Sequence, residues 1–221
     1  LMLNACTSDE QPVLDSNQVS RTILVYIAAT NSLGASSNAY RDQADIQEML
    51  EAAASSGFNG GRVIVYHHGY KSTNPVLLEI TPEGAIELKA YDTAVSSMDA
   101  SRMADVISDA RTAAPADEYG LILWSHGSGW LEDGIDQSTE AYSFGEDREW
   151  LENSSYRKTA MNVTTLADLL GNDRPFSFIY FDCCYMAGIE VVYELRNATD
   201  YIVASATELP ADGMRYDLNL P

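Results

Sequence analysis

The amino-acid sequence predicts an α/β protein, a three-layer sandwich built on a mostly parallel central sheet. Continuous apolar runs such as ILVYIAA and GLILW are typical of strands that are buried on both faces of a sheet. Amphipathic segments with helical spacing alternate with these runs, which is the pattern of a sheet covered by helices. The length of 221 residues and a hydrophobic content of 46% suit one domain with a sizeable core.

Residues 1–20 precede this domain and are predicted to be a lipoprotein signal remnant and tether. LNAC resembles the end of a bacterial lipobox, whose cysteine receives the lipid, so Cys6 is the predicted lipidation site. The polar residues that follow would hold the domain, residues 21–221, away from the membrane. The alternative is a disordered leader with an incidental cysteine. The lipobox predicts an exported bacterial protein that is lipid-anchored at the cell envelope or surface, or secreted.

The chain is strongly acidic, with 33 Asp and Glu residues against 13 Lys and Arg and a formal net charge of −20. This balance argues against nucleic-acid binding and against adsorption to an anionic membrane, so a lipid anchor would be the one contact with a membrane. The acidity suits a protein that recognises cationic groups. Solubility alone is the alternative explanation.

The first half of the domain supplies two predicted strands, a hairpin and two helices. Residues 21–30 and 61–70 are strands because their apolar residues are continuous. VLLEITPEGAIELKAYD has turn residues between two strand-like runs and predicts a β-hairpin. The helices are predicted at residues 38–54, with Ile46, Met49, Leu50 and Ala53 facing the sheet, and at residues 97–114, closed by Pro115.

Two further strands carry the candidate reactive residues. YGLILWSHGSGW is a strand that ends at His126, and FSFIYFDCC is a strand that ends at two cysteines. Alternation along the second strand places Asp182 and Cys184 on one face and Cys183 on the other, so one thiol alone can face a cleft beside Asp182. In open α/β sheets, ligands bind at the edge where the parallel strands end.

A histidine at one strand end and a cysteine at another predict a catalytic dyad. The thiolate is the nucleophile, a neighbouring imidazolium lowers the pKa of the thiol, and the same imidazole can protonate the leaving amine of acyl transfer. The glycines after His126 let a backbone N–H approach an oxyanion. His67 and His68 are alternative bases at the end of another strand, but no glycine cluster follows them.

The motifs WSHGSGW and DCCYM resemble those of the clostripain family of cysteine peptidases, which shares the caspase-like fold with caspases, gingipains and legumains. The resemblance begins at TILVYIAATNSL, includes DIQEML, and covers most of residues 21–217. It implies a caspase-like fold with His126 as the base and Cys184 as the nucleophile. The implied oxyanion donors are the backbone N–H groups of Gly127 and Cys184.

The resemblance also implies cleavage after Arg or Lys in peptide or protein substrates. A desolvated cation needs a carboxylate partner in the pocket that receives it. Asp182 matches the acidic position of the family, and Asp212 lies in the loop after the last predicted strand. Glu208 is the alternative to Asp212. The alternative role for Asp182 is an ion pair or a cap for the following helix.

Residues 131–165 are the least regular part of the chain and are predicted to form a polar, acidic loop. A loop of this length inside a compact domain is usually functional or disordered. The resemblance implies an inactive precursor that cuts itself in this processing loop, after Arg or Lys, into two chains that stay associated. Lys158 is the first choice because it ends the basic pair of SSYRKTA; Arg157 and Arg148 are the other candidates. An uncut surface loop is the alternative.

The remaining elements follow the same alternation. Residues 164–170 predict a short helix, and the cysteine strand runs into a helix with Met186, Ile189, Val192 and Tyr193 at helical spacing. DYIVASATELP predicts a last strand with a loop beyond it. Family members are expected to continue past DLNLP, so the chain is predicted to be a processed or truncated product.

The sequence therefore predicts a cysteine endopeptidase, with two rival functions. One rival is a catalytically silent surface lipoprotein that acts as a binding module, and the other is a cysteine hydrolase of amides other than peptides. The histidine and cysteine motifs argue against the first rival, and the acidic pocket residues argue against the second. No obligatory metal is expected; calcium dependence occurs in some family members, and the acidic loop offers carboxylates without the spacing of an EF-hand.

Overall fold

The structure, a computed structural model, describes residues 18–35, 37, 39–70, 74–130, 143–150, 155–171 and 173–220. Nine strands are present in this part of the chain: β1 (Val19–Ala28), β2 (Arg62–His68), β3 (Val76–Thr81), β4 (Gly84–Ala90), β5 (Ala116–Trp124), β6 (Phe144–Trp150), β7 (Tyr156–Met161), β8 (Phe176–Asp182) and β9 (Thr199–Val203). The helices are α1 (Arg41–Ser56), α2 (Ala100–Ala113), α3 (Val163–Leu170), α4 (Ile189–Glu194) and α5 (Tyr216–Asn219).

Seven of these strands form one sheet in the order β4-β3-β2-β1-β5-β8-β9. The five strands from β2 to β9 run parallel to one another, because each is reached by a helical crossover. The β3–β4 hairpin extends the sheet in the antiparallel sense at the other edge. The predicted mostly parallel sheet and the predicted hairpin are therefore confirmed.

Helices cover both faces of the sheet and complete three layers. Alternation along β1 sends Leu24 and Tyr26 into the core beneath α2, α3 and α4, and Val25 and Ile27 into the core beneath α1 and α5. Because both faces are buried, each central strand reads as a continuous apolar run. This arrangement is the three-layer sandwich that the sequence predicts.

Two helix boundaries differ from the prediction for local reasons. α1 begins at Arg41, where the backbone leaves the left-handed conformation of Tyr40. α2 begins at Ala100 because the side chain of Asp99 accepts a hydrogen bond from the N–H of Ser101, 2.8 Å away, and so caps the helix. Ser97, which the prediction placed in the helix, is a buried part of the preceding turn.

The prediction of an irregular loop over residues 131–165 is wrong for its second half. β6 and β7 form a two-stranded antiparallel sheet there, hereafter the β6–β7 hairpin. Phe144 and Met161 are buried at its base, whereas most of its other side chains are polar and exposed or half-buried. With so few apolar residues, the hairpin lacks the alternation by which a strand is predicted. Residues 131–142 and 151–154 lie outside the described part of the chain.

The prediction that the cysteine strand runs directly into a helix is also wrong. The backbone N–H groups of Tyr185 and Ala187 donate hydrogen bonds to Thr207 and Ser205, so residues 184–187 form a turn paired with a later loop. α4 starts only at Ile189, which is exposed. The apolar spacing in this segment reflects burial of the turn at Met186 as well as burial of one face of a short helix.

The N-terminal predictions fall mostly outside the described residues. Cys6 and residues 1–17 of the predicted tether are among those not described, and β1 includes residues 19–20, which the prediction assigned to the tether. Within the described ranges, no helix is both long enough and apolar enough to cross a lipid bilayer.

Candidate active site

The register of two parallel strands brings the predicted dyad together. Trp124 at the end of β5 is paired with Asp182 at the end of β8. His126 and Cys184 each follow this pair by two residues, so both lie just beyond the same edge of the sheet. Both residues line a cavity of about 930 Å³ at this edge. The structure therefore brings the two candidate catalytic residues into one cavity.

His126 is held by the loop that follows β1. The Oγ atom of Ser32 lies 2.9 Å from Nε2 of His126. The side-chain amide of Asn31 fixes this loop, because its nitrogen donates to the carbonyl oxygens of Ala28 and Glu146, each within 2.9 Å. Ser32 was not singled out in the sequence, since it is one of several serines in a polar loop and nothing in the pattern distinguishes it.

The thiol of Cys184 is half-buried beside the loop that follows β9. Its Sγ atom accepts a hydrogen bond from the backbone N–H of Leu209 at 3.3 Å. Both Cys184 and Leu209 line the cavity, so the thiol lies between the end of β8 and this loop. A half-buried thiol that faces a cavity is placed as a nucleophile requires.

The adjacent thiol of Cys183 is packed into the protein. Cys183 is only 3% exposed and belongs to the core beneath α2 and α3. Burial, with the nearby carboxylate of Asp182 as a second cause, raises the pKa of the Cys183 thiol well above its ordinary value. Cys183 is therefore a structural thiol, and Cys184 is the better candidate nucleophile of the two.

Gly127 allows the two catalytic strand ends to approach each other. A Cβ atom added at Gly127 would lie 2.5 Å from the carbonyl oxygen of Cys184 and 3.1 Å from the Sγ atom of Cys183. Among the described residues, the backbone N–H groups of Gly127 and Cys184 donate no hydrogen bond. Both residues line the cavity, which is the position that the predicted role of oxyanion donor requires.

For the peptidase that the sequence predicts, replacing Gly127 by alanine should lower kcat by about 10²- to 10³-fold, because the new Cβ atom must push the Cys184 backbone away and misplace a predicted oxyanion donor. The measurement is steady-state hydrolysis of an Arg peptide, the predicted substrate, with the thermal midpoint recorded to check folding. Gly188→Ala is the matched control, because a Cβ atom there meets the flexible end of the Glu190 side chain at 3.3 Å and makes an ordinary contact with Trp130 at 3.8 Å. Wild-type kcat in Gly127→Ala would contradict this placement of the donors.

Asp182 lines the cavity as a buried carboxylate. It is 5% exposed, and its Oδ2 atom accepts hydrogen bonds from the backbone N–H of Met214 at 3.1 Å and the hydroxyl of Tyr216 at 2.9 Å. Burial raises the pKa of Asp182 despite these two hydrogen bonds. Asp182 therefore forms no ion pair with a described residue and does not cap α4; it ties the segment after Gly213 to the wall of the cavity.

A second buried carboxyl lies behind this wall. The Oδ2 atom of Asp45 accepts a hydrogen bond from the indole nitrogen of Trp124 at 2.6 Å, and Trp124 lines the cavity. Burial is the main cause that raises the pKa of Asp45 to about 8, and the negative charge of Asp182 contributes. The sequence did not predict burial of Asp45, because the face of α1 that packs on the sheet was assigned from its apolar residues alone.

The two other acidic candidates differ in position. Glu208 lines the cavity, and its Oε1 atom accepts a hydrogen bond from the hydroxyl of Tyr185 at 3.0 Å. Asp212 is not among the residues that line the cavity; its exposed carboxylate forms an ion pair with Arg41. The structure thus brings Glu208, and not Asp212, beside the dyad.

The alternative bases lie away from the cavity. Nε2 of His67 is 2.6 Å from Oδ2 of Asp42, and Nδ1 of His68 is 2.7 Å from Oγ of Ser97. Neither histidine lines the cavity that contains Cys184. Of the three histidines, His126 alone lines the cavity that contains Cys184. Among the described residues, no group of three or more His, Cys, Asp or Glu side chains is arranged to hold a metal ion.

The β6–β7 hairpin contributes two of the three predicted cleavage sites to the cavity. Arg148 and Lys158 line it, and both contact the carboxylate of Glu146: Nε of Arg148 at 2.5 Å and Nζ of Lys158 at 3.2 Å. Arg157 is exposed and forms an ion pair with Glu149 at 3.2 Å. All three basic residues lie in paired strands, not in an irregular loop.

Comparison with known proteins decides the family. A family model described as the clostripain family matches residues 25–220, which include both motifs and every cavity residue named above. The chain belongs to the clostripain family. The family match agrees with the resemblance on the WSHGSGW and DCCYM motifs and with the caspase-like arrangement of the sheet. Among curated proteins, none matches the chain.

Solved structures of clostripain-family proteins share this fold. A secreted C11 cysteine protease from Bacteroides thetaiotaomicron, solved with an irreversible peptide inhibitor, has a TM-score of 0.73 and 35% sequence identity, over 92% of this chain and 53% of its own. An inactive zymogen C11 protease from Parabacteroides distasonis has a TM-score of 0.73 and 30% identity, over 90% of this chain and 52% of its own. The chain therefore spans about half the length of these relatives.

Proposed function

We propose that this clostripain-family protein is a cysteine endopeptidase that cleaves peptides and proteins after Arg or Lys. The thiolate of Cys184 attacks the carbonyl carbon of the scissile bond, and His126 protonates the leaving amine. The N–H groups of Gly127 and Cys184 stabilise the oxyanion, and water then hydrolyses the acyl-enzyme. The β5–β8 register carries this proposal, because it brings His126 and Cys184 to one cavity.

The acidic wall of the cavity supports the preference for basic residues. Asp182 and Glu208 both line the cavity, so a guanidinium or ammonium group that enters it finds two carboxylates in the cavity that contains the thiol. A cation that loses its water without a partner is costly to bury, whereas a charge-assisted hydrogen bond offsets that cost. We assign the main contact with the substrate cation to Asp182, because its side chain is more buried than that of Glu208.

Hydrolysis of short fluorogenic peptides that end in Arg, Lys, Asp or Ala tests this function. Cleavage confined to the Arg and Lys peptides is the expected result. Cleavage of simple non-peptide amides at comparable rates would favour the rival hydrolase. A chain that is cut in the β6–β7 hairpin but hydrolyses none of the peptides would favour the binding module.

Self-cleavage after Lys158 is part of the proposed function. Lys158 and the following residue, Thr159, line the cavity that holds Cys184, so both residues that flank the proposed scissile bond border the same cavity as the nucleophile. Arg148 also lines the cavity, but its side chain is largely covered and bound to Glu146. The zymogen state of the Parabacteroides relative agrees with a precursor that needs processing. The two chains would stay associated through the β6–β7 pairing and the shared core.

The masses of the two fragments test the site of self-cleavage. Wild-type protein should separate, under denaturing conditions, into chains that end at Lys158 and begin at Thr159. Lys158→Ala should slow this cleavage by about tenfold or more, because the side chain that the acidic wall recognises is lost. Arg157→Ala is the matched control, since Arg157 is exposed and outside the cavity. Fragments that end at Arg157 or Arg148 would contradict this assignment.

Export of the protein is also proposed. The secreted relative from Bacteroides supports export, and lipid attachment at Cys6 would leave the protein at the cell envelope or surface. The reaction needs no obligatory metal, because thiol and imidazole supply the nucleophile and the acid. Calcium remains a candidate ligand of the acidic residues between 131 and 165.

A further inference from the structure

Hydrogen bonds join β6 and the residue before it to the segment that carries His126. The N–H of Gly145 donates to the carbonyl oxygen of His126 at 2.8 Å, and the N–H of Ser128 donates to that of Ser143 at 3.1 Å. The N–H of Glu146 donates to the Oγ atom of Ser125 at 3.1 Å. Ser125, His126 and Ser128 thus each form a hydrogen bond with β6 or with Ser143, the residue before it, and Gly127 lies between two of these bonded residues. The position of β6 therefore sets the position of the base and of one oxyanion donor.

β6 is in turn fixed by the carboxylate of Asp147, which is 4% exposed. Its Oδ2 atom accepts hydrogen bonds from the N–H of Ser97 at 2.6 Å and the hydroxyl of Ser96 at 2.7 Å. The hydroxyl of Thr30 donates to Oδ1, and the N–H of Arg148 donates to the same hydroxyl at 3.1 Å. Asp147 therefore joins β6 to the loop after β1 and to the turn before α2.

Among the described residues, neither Lys nor Arg forms an ion pair with the buried carboxylate of Asp147, and the only basic nitrogen within 4 Å is Nδ1 of His68, at 3.9 Å. Burial lowers the pKa of His68, so that imidazole is uncharged at neutral pH. A buried carboxylate is stabilised more by a charged donor than by neutral hydroxyl and amide donors alone. Asp147 is therefore suited to receive a cation.

The cleavage proposed after Lys158 creates a cation on Thr159, the residue that is paired with Asp147. Asp147 and Thr159 are paired across the β6–β7 hairpin, so their side chains point to the same face. The Oγ1 atom of Thr159 lies 2.8 Å from the Oγ atom of Ser96, the hydroxyl that donates to Asp147. The side chain of Thr159 is therefore already part of the Asp147 hydrogen-bond cluster before the chain is cut.

We propose that Asp147 is a positioning residue of the cut enzyme, and that its carboxylate binds the α-ammonium group that self-cleavage creates at Thr159. The pair would hold β6, and through β6 the His126 segment, once the covalent link between the two chains is gone. The inference rests on the proposed self-cleavage after Lys158. A cleavage after Arg148 or Arg157 would not place an amino terminus at this position.

Hydrolysis of the peptide bond between Lys158 and Thr159 is sufficient to form this cation. The Cys184 thiolate adds to the carbonyl carbon of Lys158, and the carbon–nitrogen bond to Thr159 breaks as His126 transfers a proton to the nitrogen. Water hydrolyses the thioester, which regenerates the thiolate and leaves a carboxylate on Lys158; of the two protons that the water releases, one returns to His126 and the other goes to the amino group of Thr159. The amino group of Thr159 takes up a proton at neutral pH, since an ordinary α-amino group has a pKa of about 7.7–8.0.

The test begins with the wild-type protein after self-cleavage. Fragment masses first establish whether the second chain begins at Thr159. The rate at which a limiting amine-reactive reagent labels that amino terminus is then measured against pH by mass spectrometry. We expect the pKa of the Thr159 amino group to lie about one unit or more above the ordinary range, and to return to that range in Asp147→Asn.

Activity of the same proteins supplies the second readout. Asp147→Asn should lower kcat for an Arg peptide by about tenfold or more and leave KM within about twofold, because the base is misplaced while the acidic wall is intact. Glu149→Gln is the matched control, since Glu149 lies on the same strand with an exposed carboxylate, and it should change neither quantity.

Three results would overturn the proposal, and they differ from one another. A chain that begins at Thr159 with an ordinary amino-group pKa would reject the ion pair while self-cleavage stands. Wild-type kcat in Asp147→Asn would reject the positioning role. Absence of a chain that begins at Thr159 would reject the proposed cleavage site together with this inference.

Discussion

Cys184→Ala should reduce hydrolysis of Arg and Lys peptides by a factor on the order of 10⁴ or more and should leave the chain in one piece, because no other described thiol can replace the nucleophile. The measurement is kcat/KM for an Arg peptide, together with fragment masses after prolonged incubation. The loss should fall on kcat, since the thiol forms the acyl-enzyme and contributes little to ground-state binding.

Cys183→Ala is the matched control for this experiment. Cys183 is buried in the core and its thiol pKa is raised, so it should keep kcat within a few-fold while the free energy of unfolding falls by about 1 kcal/mol through the small cavity. Loss of activity in Cys183→Ala with retention in Cys184→Ala would reverse the assignment of the nucleophile. Retention of activity in both variants would exclude a cysteine mechanism.

Asp182→Asn should lower kcat/KM for Arg peptides by about 10²- to 10³-fold and abolish the preference for Arg over neutral residues. Removing one partner of a buried charge pair costs about 2–5 kcal/mol, and here the substrate cation would lose its carboxylate. Asparagine keeps an oxygen that can accept the hydrogen bond from the Met214 N–H, so the wall of the cavity should persist. The measurement is kcat and KM for paired Arg and Ala peptides.

Two comparisons make the Asp182 result interpretable. Asp212→Asn removes a carboxylate of the same segment that lies outside the cavity, and it should leave the preference unchanged. Because burial raises the pKa of Asp182, its charge should be lost at a higher pH than that of an ordinary aspartate, and KM for Arg peptides should rise as the solution becomes mildly acidic. An unchanged preference in Asp182→Asn would eliminate Asp182 as the specificity residue.

Much of the central sheet was predictable because its strands are buried on both faces. β1, β2, β5 and β8 read as apolar runs, and their C-terminal ends are marked by polar or small residues. The β6–β7 hairpin was not predictable in this way. β6 presents Asp147 to the interior where a strand pattern requires an apolar residue, and the hydroxyl and amide donors that satisfy this carboxylate come from distant segments.

The candidate site also contains residues that local sequence predicts and residues that it does not. Spacing and alternation predicted His126, Cys184 and Gly127 as site residues, because each lies just beyond a strand end where local sequence defines the position, and all three line one cavity. Asp212 and Glu208 lie in one irregular loop, where sequence contains no rule for which side chain turns inward. In the structure, Asp212 pairs with Arg41 outside the cavity, whereas Glu208 accepts a hydrogen bond from Tyr185 within it.

The sequence by itself determined the class of fold and was enough to predict the two strand ends of the site and the residues of the proposed dyad, because these depend on periodicity and on motifs a few residues long. Only the tertiary structure decided which loop residues enter the cavity, that Ser32 contacts the base, and that Asp147 faces Thr159. These features depend on the pairing of strands remote in the chain and on the burial of polar groups whose partners are also remote. Neither the pairing of remote strands nor the partners of these buried polar groups can be inferred from local sequence.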